Sequence, residues 1–426
     1  DEVESLLHQL ELHFLGNADP HLHFALLTDY KDAPQKQMPE DDALLKRLKV
    51  GVQDLNRKYA QESPSPFYLF HRERQWNSGE ECWMGWERKR GKLVEFNRLL
   101  AGSQKTSYKV QIGNLKILSE IKYVITVDAD TVIPRGNARR LVATLAHPLN
   151  RAEFDPESGE IIAGFTVLQP RIEVKPTSVN QSLFTRIFAG DNTLDLYTRA
   201  VSDVYQDFFG EGNYTGKGIY DVAAFENCLN DRVPENTLLS HDLFEGLHGR
   251  VGLVTDVVLL EDYPPHYISN ARRWHRWVRG DWQLLPWLLP RVPSADGELK
   301  NNQFSTLDRW KIIDNLRRSL LTPVILACLL MGWLWLPASP LIWTLLSISL
   351  FALPLMISTI RDVTQSLFKN LGVDWLQVGH SMLRWMLDLT FLPYQTLITL
   401  DAIGTTLTRM LLTRKRLLQW TTSAHT

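Results

Sequence analysis

The sequence predicts an α/β domain in residues 1–290, followed by membrane-spanning helices in the last quarter of the chain. Before residue 290, four short apolar runs rich in β-branched residues alternate with helical patterns, which is typical of buried strands in a parallel sheet. From Ser319 to Ile360, 42 consecutive residues include no Asp, Glu, Lys or Arg, and two spans of ~20 residues each fit this length. The net charge of −2 argues against a general nucleic-acid-binding protein, and 44% hydrophobic residues exclude a disordered chain.

The predicted strands cover residues 23–28, 123–127, 161–168 and 251–256, and the predicted helices cover 42–59 and 89–100. Three of the strand runs end in an acid, at Asp29, Asp128 and Asp256. Ligands of open α/β sheets bind at the carboxyl ends of the strands, so we expect these carboxylates near a ligand. Residues 1–15 have the pattern of a helix that follows a strand, and we expect that first strand to precede this sequence.

The uncharged stretch predicts a transmembrane hairpin, with spans at about residues 319–336 and 341–360 joined by a turn with two prolines at 337–340. Arg317, Arg318 and Arg361 flank this hairpin, so we expect its ends and the preceding domain on the cytoplasmic side. The alternative is a helical hairpin that is buried in a large soluble core.

The segments around the hairpin carry weaker signals. Residues 291–318 are predicted to form a linker and an interfacial helix. Between Arg361 and Asp388 the apolar residues follow helical spacing, which predicts an amphipathic helix on the membrane or, alternatively, a packed surface helix. Residues 390–410 are mostly apolar but include Asp401 and Pro393, so both a third span and an interfacial helix fit.

Asp128 and Asp130 lie on alternate residues just past a predicted strand. Two carboxylates in this arrangement can reach one hard cation, such as Mg²⁺ or Mn²⁺, which takes oxygen ligands and commonly bridges to substrate phosphates. Such an ion would offset the charge that develops on a departing diphosphate. Acids at strand ends are as often simple turn formers, so the motif alone leaves both interpretations open.

Asp242 stands in the segment Ser240-His241-Asp242, just ahead of a helical pattern. An acid in that position is usually the N-cap of the helix. The functional alternative is a general base that takes a proton from an acceptor hydroxyl. Without further context the sequence favours the cap.

The segment 272–283 contains four arginines and three tryptophans within twelve residues. Guanidinium groups bind phosphate oxygens well, and indole rings pack on the apolar faces of sugars. This composition therefore predicts contacts with a sugar phosphate. The alternative is a basic amphipathic helix that lies on a membrane.

Residues 210–221 include four glycines, which predicts a loop with close backbone approach. The loop does not match the phosphate-binding pattern, because Glu211 stands five residues before Gly216 and Gly218 follows Lys217. Contact with an acceptor sugar and a simple tight turn both remain open.

In this order, the motifs resemble the processive family-2-like glycosyltransferases such as cellulose synthases. The match is closer still to the glycosyltransferase region of cyclic β-1,2-glucan synthases, which form glycosyltransferase family 84. The strings that carry the resemblance extend over most of the chain and are FALLTDYKDA, LFHRERQWN, CWMGWERKRGKL, YVITVDADTVIPRG, LVATLAHPLN, SDVYQDFFGEGNYTGKGIYDV, ENTLLSHDLFEG and RWHRWVRGDWQ. The resemblance implies a GT-A-like nucleotide-sugar transferase domain ahead of the membrane spans.

The resemblance also implies UDP-glucose as donor, a growing glucan as acceptor, Asp242 as catalytic base, and Mg²⁺ or Mn²⁺ on Asp128 and Asp130. The residues implied to hold the donor are Asp29, Asp128, Asp130, Arg273, Arg276 and Trp277. The residues expected at the acceptor are Trp277, Trp282, Gly216 and Tyr214. Position 273 is Arg where the cellulose-synthase pattern has Gln. The middle motif is Ser-His-Asp rather than Thr-Glu-Asp, with the final Asp kept.

The implied reaction is a single inverting displacement that forms a β-1,2 bond. The resemblance implies a multi-pass protein of the bacterial inner (cytoplasmic) membrane, surrounded by lipid, with a cytoplasmic catalytic domain. It also implies a phosphorylase-like region elsewhere in the same full-length polypeptide. Two alternatives are another processive β-glycan synthase, of the cellulose or hyaluronan type, and a non-catalytic glucan-binding membrane scaffold. The presence of Asp128, Asp130 and Asp242 together argues against the scaffold.

Overall fold

A computed structural model describes residues 2–61, 65–157, 159–189, 204–230, 232–369 and 375–419 and shows a mixed α/β protein, as predicted. Its strands are β1 (Phe24–Asp29), β2 (Phe67–Arg72), β3 (Gln75–Asn77), β4 (Cys82–Met84), β5 (Tyr108–Ile112), β6 (Tyr123–Thr126), β7 (Glu153–Phe154), β8 (Ile161–Ala163), β9 (Val167–Val174), β10 (Gly218–Asp221), β11 (Val251–Glu261), β12 (Arg291–Pro293) and β13 (Leu299–Asn301).

The α-helices alternate with these strands and then follow them. They are α1 (Glu2–Gly16), α2 (Asp41–Lys58), α3 (Arg88–Leu100), α4 (Asn137–Ala146), α5 (Pro176–Val179), α6 (Leu183–Phe188), α7 (Val204–Phe209), α8 (Val222–Leu229), α9 (Asp242–Gly249), α10 (Tyr267–Gln283), α11 (Thr306–Ser319), α12 (Leu321–Leu334), α13 (Pro340–Lys369) and α14 (Trp375–Thr408).

The central sheet has four strands in the order β11-β9-β10-β6. β9 and β11 pair in parallel, whereas β10 is antiparallel to both β9 and β6. Strands β6, β9 and β11 therefore all run the same way, and their carboxyl ends meet at the edge where β10 begins. A second sheet has the order β1-β2-β5, with β1 parallel and β5 antiparallel to β2.

The two sheets share a hydrophobic core. Phe70 of β2, Phe96 of α3 and Tyr220 of β10 belong to one buried cluster that joins the sheets. Helices α1 and α2 cover the opposite face of the smaller sheet, where Phe14 and Val52 pack against β1 and β2. Burial of side chains of this size contributes about 1.5–3 kcal/mol each and fixes α3 between the two sheets.

The predicted strand 161–168 is interrupted at Gly164. The chain turns there with φ at +69°, and a Cβ at this position would lie 1.8 Å from the carbonyl oxygen of Arg151. Residues before the turn form β8, which pairs with β7, and residues after it form β9, which extends to Val174. The apolar run was therefore predicted correctly in position but wrongly as one strand, because only glycine tolerates this backbone conformation so close to a carbonyl group.

The predicted strand 251–256 also has a different end. β11 continues to Glu261 through an irregular register between Val254 and Val258. Asp256 lies within this β-bulge and is exposed, and it pairs with Arg140 at 2.6 Å. Asp256 is therefore not the acid at the end of the strand, and Glu261 is.

The predicted hairpin is present as α12 and α13, which a turn at residues 335–339 connects. Leu334, Trp335 and Leu341 are exposed around this turn, whereas Ile325 and Leu329 of α12 are buried. Within the described residues, no single helix has both the length and the apolar composition to cross a membrane. The α11–α12 pair, bent by 47°, meets both criteria when it is taken together, and Pro340–Leu353 is a shorter apolar helix.

The remaining C-terminal segments take helical or hairpin form. The predicted linker contains the β12–β13 hairpin, and α11 follows it. The predicted amphipathic helix falls on the end of α13 and the start of α14, and its middle, residues 370–374, lies outside the described residues. The predicted third span lies in the second half of α14, which continues through Pro393 without a break.

Candidate active site

The carboxyl-terminal edge of the central sheet brings together residues that are far apart in the sequence. Asp128 and Asp130 follow β6, and Glu261 ends β11, so the common strand direction makes them neighbours. Because β10 is antiparallel and begins at this edge, Gly216 and Lys217, which precede it, lie there too. The sheet topology thus assembles an acidic cluster beside a glycine-rich loop.

Asp128, Asp130 and Glu261, here called the sheet-edge acids, each offer an oxygen within 4.8 Å of the oxygens of the other two. Two lysines neutralise them. Lys89 Nζ, from α3, lies 2.5 Å from Asp128 Oδ1, and Lys217 Nζ lies 3.2 Å from Asp128 Oδ2 and also pairs with Glu261. Three carboxylates therefore share these two ammonium groups, and Arg273 and Arg276 of α10 lie in the field of the same acids.

The electrostatic environment separates the two acids of the Asp-x-Asp motif. Desolvation opposes ionisation of Asp128, but the charges of Lys89 and Lys217 outweigh it and hold the pKa of Asp128 far below its usual range. Within the described residues, Asp130 forms no ion pair with either lysine, although the charge of Lys217 lowers its pKa. Desolvation and the charge of Glu261 raise the pKa of Asp130 to about 6, although its side chain still reaches solvent. The Asp130 carboxylate is therefore protonated more readily than the Asp128 carboxylate. The region around the sheet-edge acids and Asp242 is here called the cleft.

The donor set of the sheet-edge acids fits a hard divalent cation. Three carboxylate oxygens at this spacing match the oxygen ligands that Mg²⁺ and Mn²⁺ take, with coordination positions left for phosphate or water. Lys217 lies among the same oxygens, so an ion at this position would share or displace its contacts. Asp128 and Asp130 were predicted for this role, and Glu261 was not.

Helix α3 connects Asp128 to Asp29, the acid at the end of β1. Lys89 contacts Asp128, and Lys92, one helical turn later, lies 3.4 Å from Asp29 Oδ2. Both oxygens of Asp29 also accept hydrogen bonds from the buried guanidinium of Arg72, at 2.7 and 3.0 Å. Burial would raise the pKa of Asp29, but the charges of Lys92 and Arg72 outweigh it and lower the pKa. Asp29 is thus fully paired within the protein.

Asp242 is the first residue of α9 and lies on the other side of the glycine-rich loop. Gly216 has a φ of +80°, and a Cβ built on it would lie 2.2 Å from Asp242 Oδ1. Lys89 Nζ contacts the carbonyl oxygen of Gly216 at 3.2 Å while it pairs with Asp128. Gly216 therefore allows the loop to pass between Asp242 and the sheet-edge acids, in contact with both.

The interpretation of Asp242 as a helix cap does not fit this geometry. The N-cap residue of α9 is His241, and no side chain makes a capping hydrogen bond there. Asp242 Oδ1 is buried and accepts no hydrogen bond from the part of the chain that the structure describes. A buried carboxylate oxygen without a donor is costly and commonly marks a functional group.

Helix α10 supplies cationic and aromatic side chains to the same region. Burial lowers the pKa of Arg276, while the carboxylates of Asp128 and Asp242 act in the opposite direction, so the guanidinium lies in the field of both acids. Arg273 packs against the rings of Tyr263 and Trp277, at 5.2 and 4.9 Å from their centroids. The Trp277 ring is exposed. Arg276 and Trp277 thus occupy positions from which a sugar nucleotide could be bound.

Two of the residues predicted at the acceptor have packing roles. Tyr214 is buried in the cluster that joins the sheets and lies against Gly246 of α9. Trp282 donates a hydrogen bond to Ser319 Oγ at 3.0 Å and packs between α10 and the C-terminal helices. Both rings thus pack against other parts of the protein, and their contact with an acceptor stays a prediction.

Several site residues were not predicted from the sequence. Lys89 and Lys217 carry no local motif, since a single lysine on a helix or in a loop is usually solvated. Glu261 was missed because the strand was expected to end at Asp256. His241 and Glu245, which lie within 4.8 Å of Asp242, could have been found from their i,i+4 spacing on α9.

A cavity of about 530 Å³ lies apart from this site. Its lining includes Tyr123, Phe165 and Asp221. Tyr123 begins β6 and Asp221 ends the antiparallel β10, so the cavity is at the opposite end of these strands from the sheet-edge acids. None of the predicted site residues lines it, and we therefore exclude it from the candidate active site.

No protein-family model matches the chain. The chain is 40% identical, over an alignment of 434 positions, to the cyclic beta-(1,2)-glucan synthase NdvB of Rhizobium meliloti (strain 1021). The alignment covers the whole of this chain and only 15% of that relative. The chain therefore spans a small part of the relative's length. The resemblance drawn from the sequence motifs is confirmed, and along its whole length the chain is homologous to one segment of a cyclic β-(1,2)-glucan synthase.

Proposed function

We propose that the chain is the glycosyltransferase segment of a larger polypeptide and transfers glucose from UDP-glucose to a growing β-1,2-glucan. One contact carries the proposal: Lys89 Nζ links Asp128 Oδ1 to the carbonyl oxygen of Gly216, which packs against Asp242. A candidate diphosphate site and a candidate base therefore lie on two sides of one loop residue. The similarity to a glucan synthase along the whole chain supports this substrate class.

On the donor side, the sheet-edge acids would hold Mg²⁺ or Mn²⁺ together with the diphosphate of the donor. When bound, the ion supplies positive charge that offsets the charge developing on the departing UDP. Lys89, Lys217 and Arg276 lie in the field of the same acids and add fixed positive charge to this region. These groups would stabilise the leaving group without reorganisation.

On the acceptor side, Asp242 takes the proton of the attacking 2-hydroxyl. The hydroxyl oxygen forms a bond to the anomeric carbon while the bond from that carbon to UDP breaks, and UDP leaves with the electron pair. Attack from the face opposite UDP converts the α linkage of the donor into a β linkage. Asp242 Oδ1 is buried but the side chain is 28% exposed, so we expect Oδ2 to receive the proton.

We also propose a multi-pass protein of the bacterial inner membrane, with this catalytic site in the cytoplasm. Exposed apolar side chains around the α12–α13 turn, such as Trp335 and Leu341, would lie in lipid. Arg317 and Arg318 precede α12, which supports a cytoplasmic start of the hairpin. The much greater length of the relative supports further regions, such as a phosphorylase-like region, in the same polypeptide.

The test measures UDP release from UDP-glucose by membranes that carry the full-length protein, combined with linkage analysis of the glucan. Asp242→Asn is expected to lower the rate about 10²- to 10⁴-fold, because the substituted amide cannot take the proton. Asp256→Asn is the matched control, because Asp256 is an exposed acid in the β11 bulge and pairs with Arg140.

The outcomes separate the parts of the proposal. A β-1,2-linked product from the wild type and the Asp256 variant, together with loss of activity in Asp242→Asn, supports it in full. Equal rates in all three proteins would remove Asp242 as the base. Turnover of a different sugar nucleotide, or a product with another linkage, would overturn the proposed donor or acceptor.

A further inference from the structure

His241, Asp242 and Glu245, here called the α9 cluster, form a second group of titratable side chains at the start of α9. His241 is 4% exposed and Glu245 is 3% exposed. His241 Nδ1 lies 2.8 Å from Glu245 Oε1 and 3.6 Å from Asp242 Oδ1. One ring nitrogen thus faces two carboxylates, and one of them is the candidate base.

The burial of Glu245 requires a cation beside it. A buried carboxylate without a counter-charge costs several kcal/mol, and the ion-pair partner of Glu245 is His241. The 2.8 Å contact is not aligned as a hydrogen bond, so it is the charge of the ring that matters. Burial alone would lower the pKa of His241, but the carboxylates of Glu245 and Asp242 outweigh it and raise the pKa. The ring therefore carries its proton at pH values where an exposed histidine loses it.

The other charged or titratable groups around the cluster do not replace this histidine. Lys89 of α3 opposes the protonation of His241, and Arg276 of α10 lies in the field of Asp242 rather than of Glu245. Tyr214, from the glycine-rich loop, lies against α9, and burial, together with the charges of Glu245 and Asp242, raises the pKa of its hydroxyl and keeps it protonated. His241 is thus the cation that belongs to the α9 cluster.

We infer that His241, held as an imidazolium by Glu245, is a positioning residue that fixes the Asp242 carboxylate for proton transfer. The charged ring attracts Asp242 Oδ1 inward, where this atom is buried and accepts no hydrogen bond from the described residues. Oδ2 is thereby left toward the cleft. This inference rests on the proposed function of Asp242 and adds the groups that orient it.

A pH profile tests the inference, because a merely structural histidine would leave the profile unchanged. The full-length wild-type protein in membranes is assayed for UDP release across pH 6 to 10 with UDP-glucose. Loss of the proton from His241 removes the charge that positions Asp242, so kcat/KM should fall about tenfold per pH unit above a midpoint higher than 6.5. A flat wild-type profile over this range would overturn the inference without any variant.

Two variants assign this alkaline decline to the α9 cluster. His241→Asn keeps a polar group near the Nδ1 position without charge, and should lower kcat about 10- to 100-fold and abolish the decline. Glu245→Gln removes the carboxylate that holds the proton on His241, so the decline should move to lower pH. His248→Asn is the matched control. His248 lies on the same helix but packs against Phe244 and Phe304, so its loss should leave the shape of the profile unchanged.

The results distinguish a failure of this inference from a failure of the proposed role of Asp242. If the wild type turns over UDP-glucose and Asp242→Asn does not, the proposed function stands. If His241→Asn then retains the alkaline decline, the role of His241 falls alone. If the wild type and Asp242→Asn release UDP equally, Asp242 is not the base, and this inference falls with that assignment.

Discussion

The sheet-edge acids and the α9 cluster both present carboxylates to the cleft, but their counter-charges come from different parts of the chain. Asp128 is neutralised by Lys89 of α3 and by Lys217 of the glycine-rich loop. Glu245 is neutralised by His241, the N-cap residue of α9, which lies four residues earlier in the chain. The first arrangement depends on the tertiary fold, whereas the second is almost complete within five consecutive residues.

The source of the counter-charge determines how each cluster can respond to a ligand. A lysine ammonium on a flexible stem can move away when a ligand brings its own charge, so the sheet-edge acids are able to exchange partners. A buried imidazole on the same helix as its partner has no such freedom. The first cluster therefore suits a site that binds and releases a diphosphate, and the second suits a group that must stay in one orientation.

Both oxygens of Asp29 are paired within the protein, so we expect its substitution to have the largest effect, on the free energy of unfolding. Asp29→Asn removes the nearer carboxylate partner of the fully buried Arg72 and leaves it Glu95, at 3.9 Å, so we expect a loss of about 3–5 kcal/mol in the free energy of unfolding. Asp256→Asn breaks an exposed pair and should cost at most about 1 kcal/mol. Denaturant unfolding measures both. Unchanged stability with weakened UDP binding would instead support the predicted contact of Asp29 with the donor.

Gly216→Ala tests whether the loop sets the position of the base. The added methyl group would meet Asp242 Oδ1 at 2.2 Å, so we expect kcat to fall about 100-fold. Gly210→Ala is the control, because Gly210 also has a positive φ, of +70°, but a Cβ there meets nothing within 4 Å. The rates of UDP release by the two variants are compared. A loss in Gly216→Ala alone would be caused by displacement of Asp242 rather than by backbone strain. Equal loss in both would mean that strain alone is responsible.

Lys217→Met tests whether the sheet-edge acids exchange counter-charges. Removal of an ammonium that contacts both Asp128 and Glu261 should strengthen binding of Mn²⁺ in the absence of UDP by about tenfold. Lys175→Met, which removes a lysine paired with Asp262 just outside the cluster, should change the affinity little. Calorimetric titration with Mn²⁺ gives both affinities. Weaker binding in Lys217→Met would show that the lysine supports the ion rather than competes with it.

The smallest expected effect is the pH dependence of metal binding. Because the pKa of Asp130 is raised to about 6, its carboxyl is protonated at pH values where an ordinary aspartate is ionised. Protons compete with the metal, so the Mn²⁺ affinity should rise with pH and level off above about 6. Relative to its value at high pH, the Mn²⁺ affinity should be about twofold lower at pH 6 and about tenfold lower at pH 5. Asp130→Asn should show no such dependence, and a dependence that persists would assign it to another group.

The parts of this site that were predictable from the sequence are those with local signatures. β6 and the acids after it follow from a β-branched run that ends in Asp-Ala-Asp, and Arg276 and Trp277 follow from an unusual composition. Lys89 was not predictable, because its partner Asp128 is 39 residues away and only the placement of α3 joins them. The packing of Trp282 against α14 and the end of α11 was also not predictable, because a sequence does not show which face of a helix later elements cover.

The length of the β-bulge in β11 determines which face of the sheet carries the Glu261 carboxylate. Val254 pairs with Pro170 and Val258 with Arg171, so residues 255–257 are extra on one strand only. Deletion of one of them would shift every later residue by one position and turn the Glu261 carboxylate to the opposite face of the sheet, whereas deletion of two would restore its direction. A change of one residue in the length of this bulge would therefore remove a charge from the cleft without any substitution of Glu261 itself.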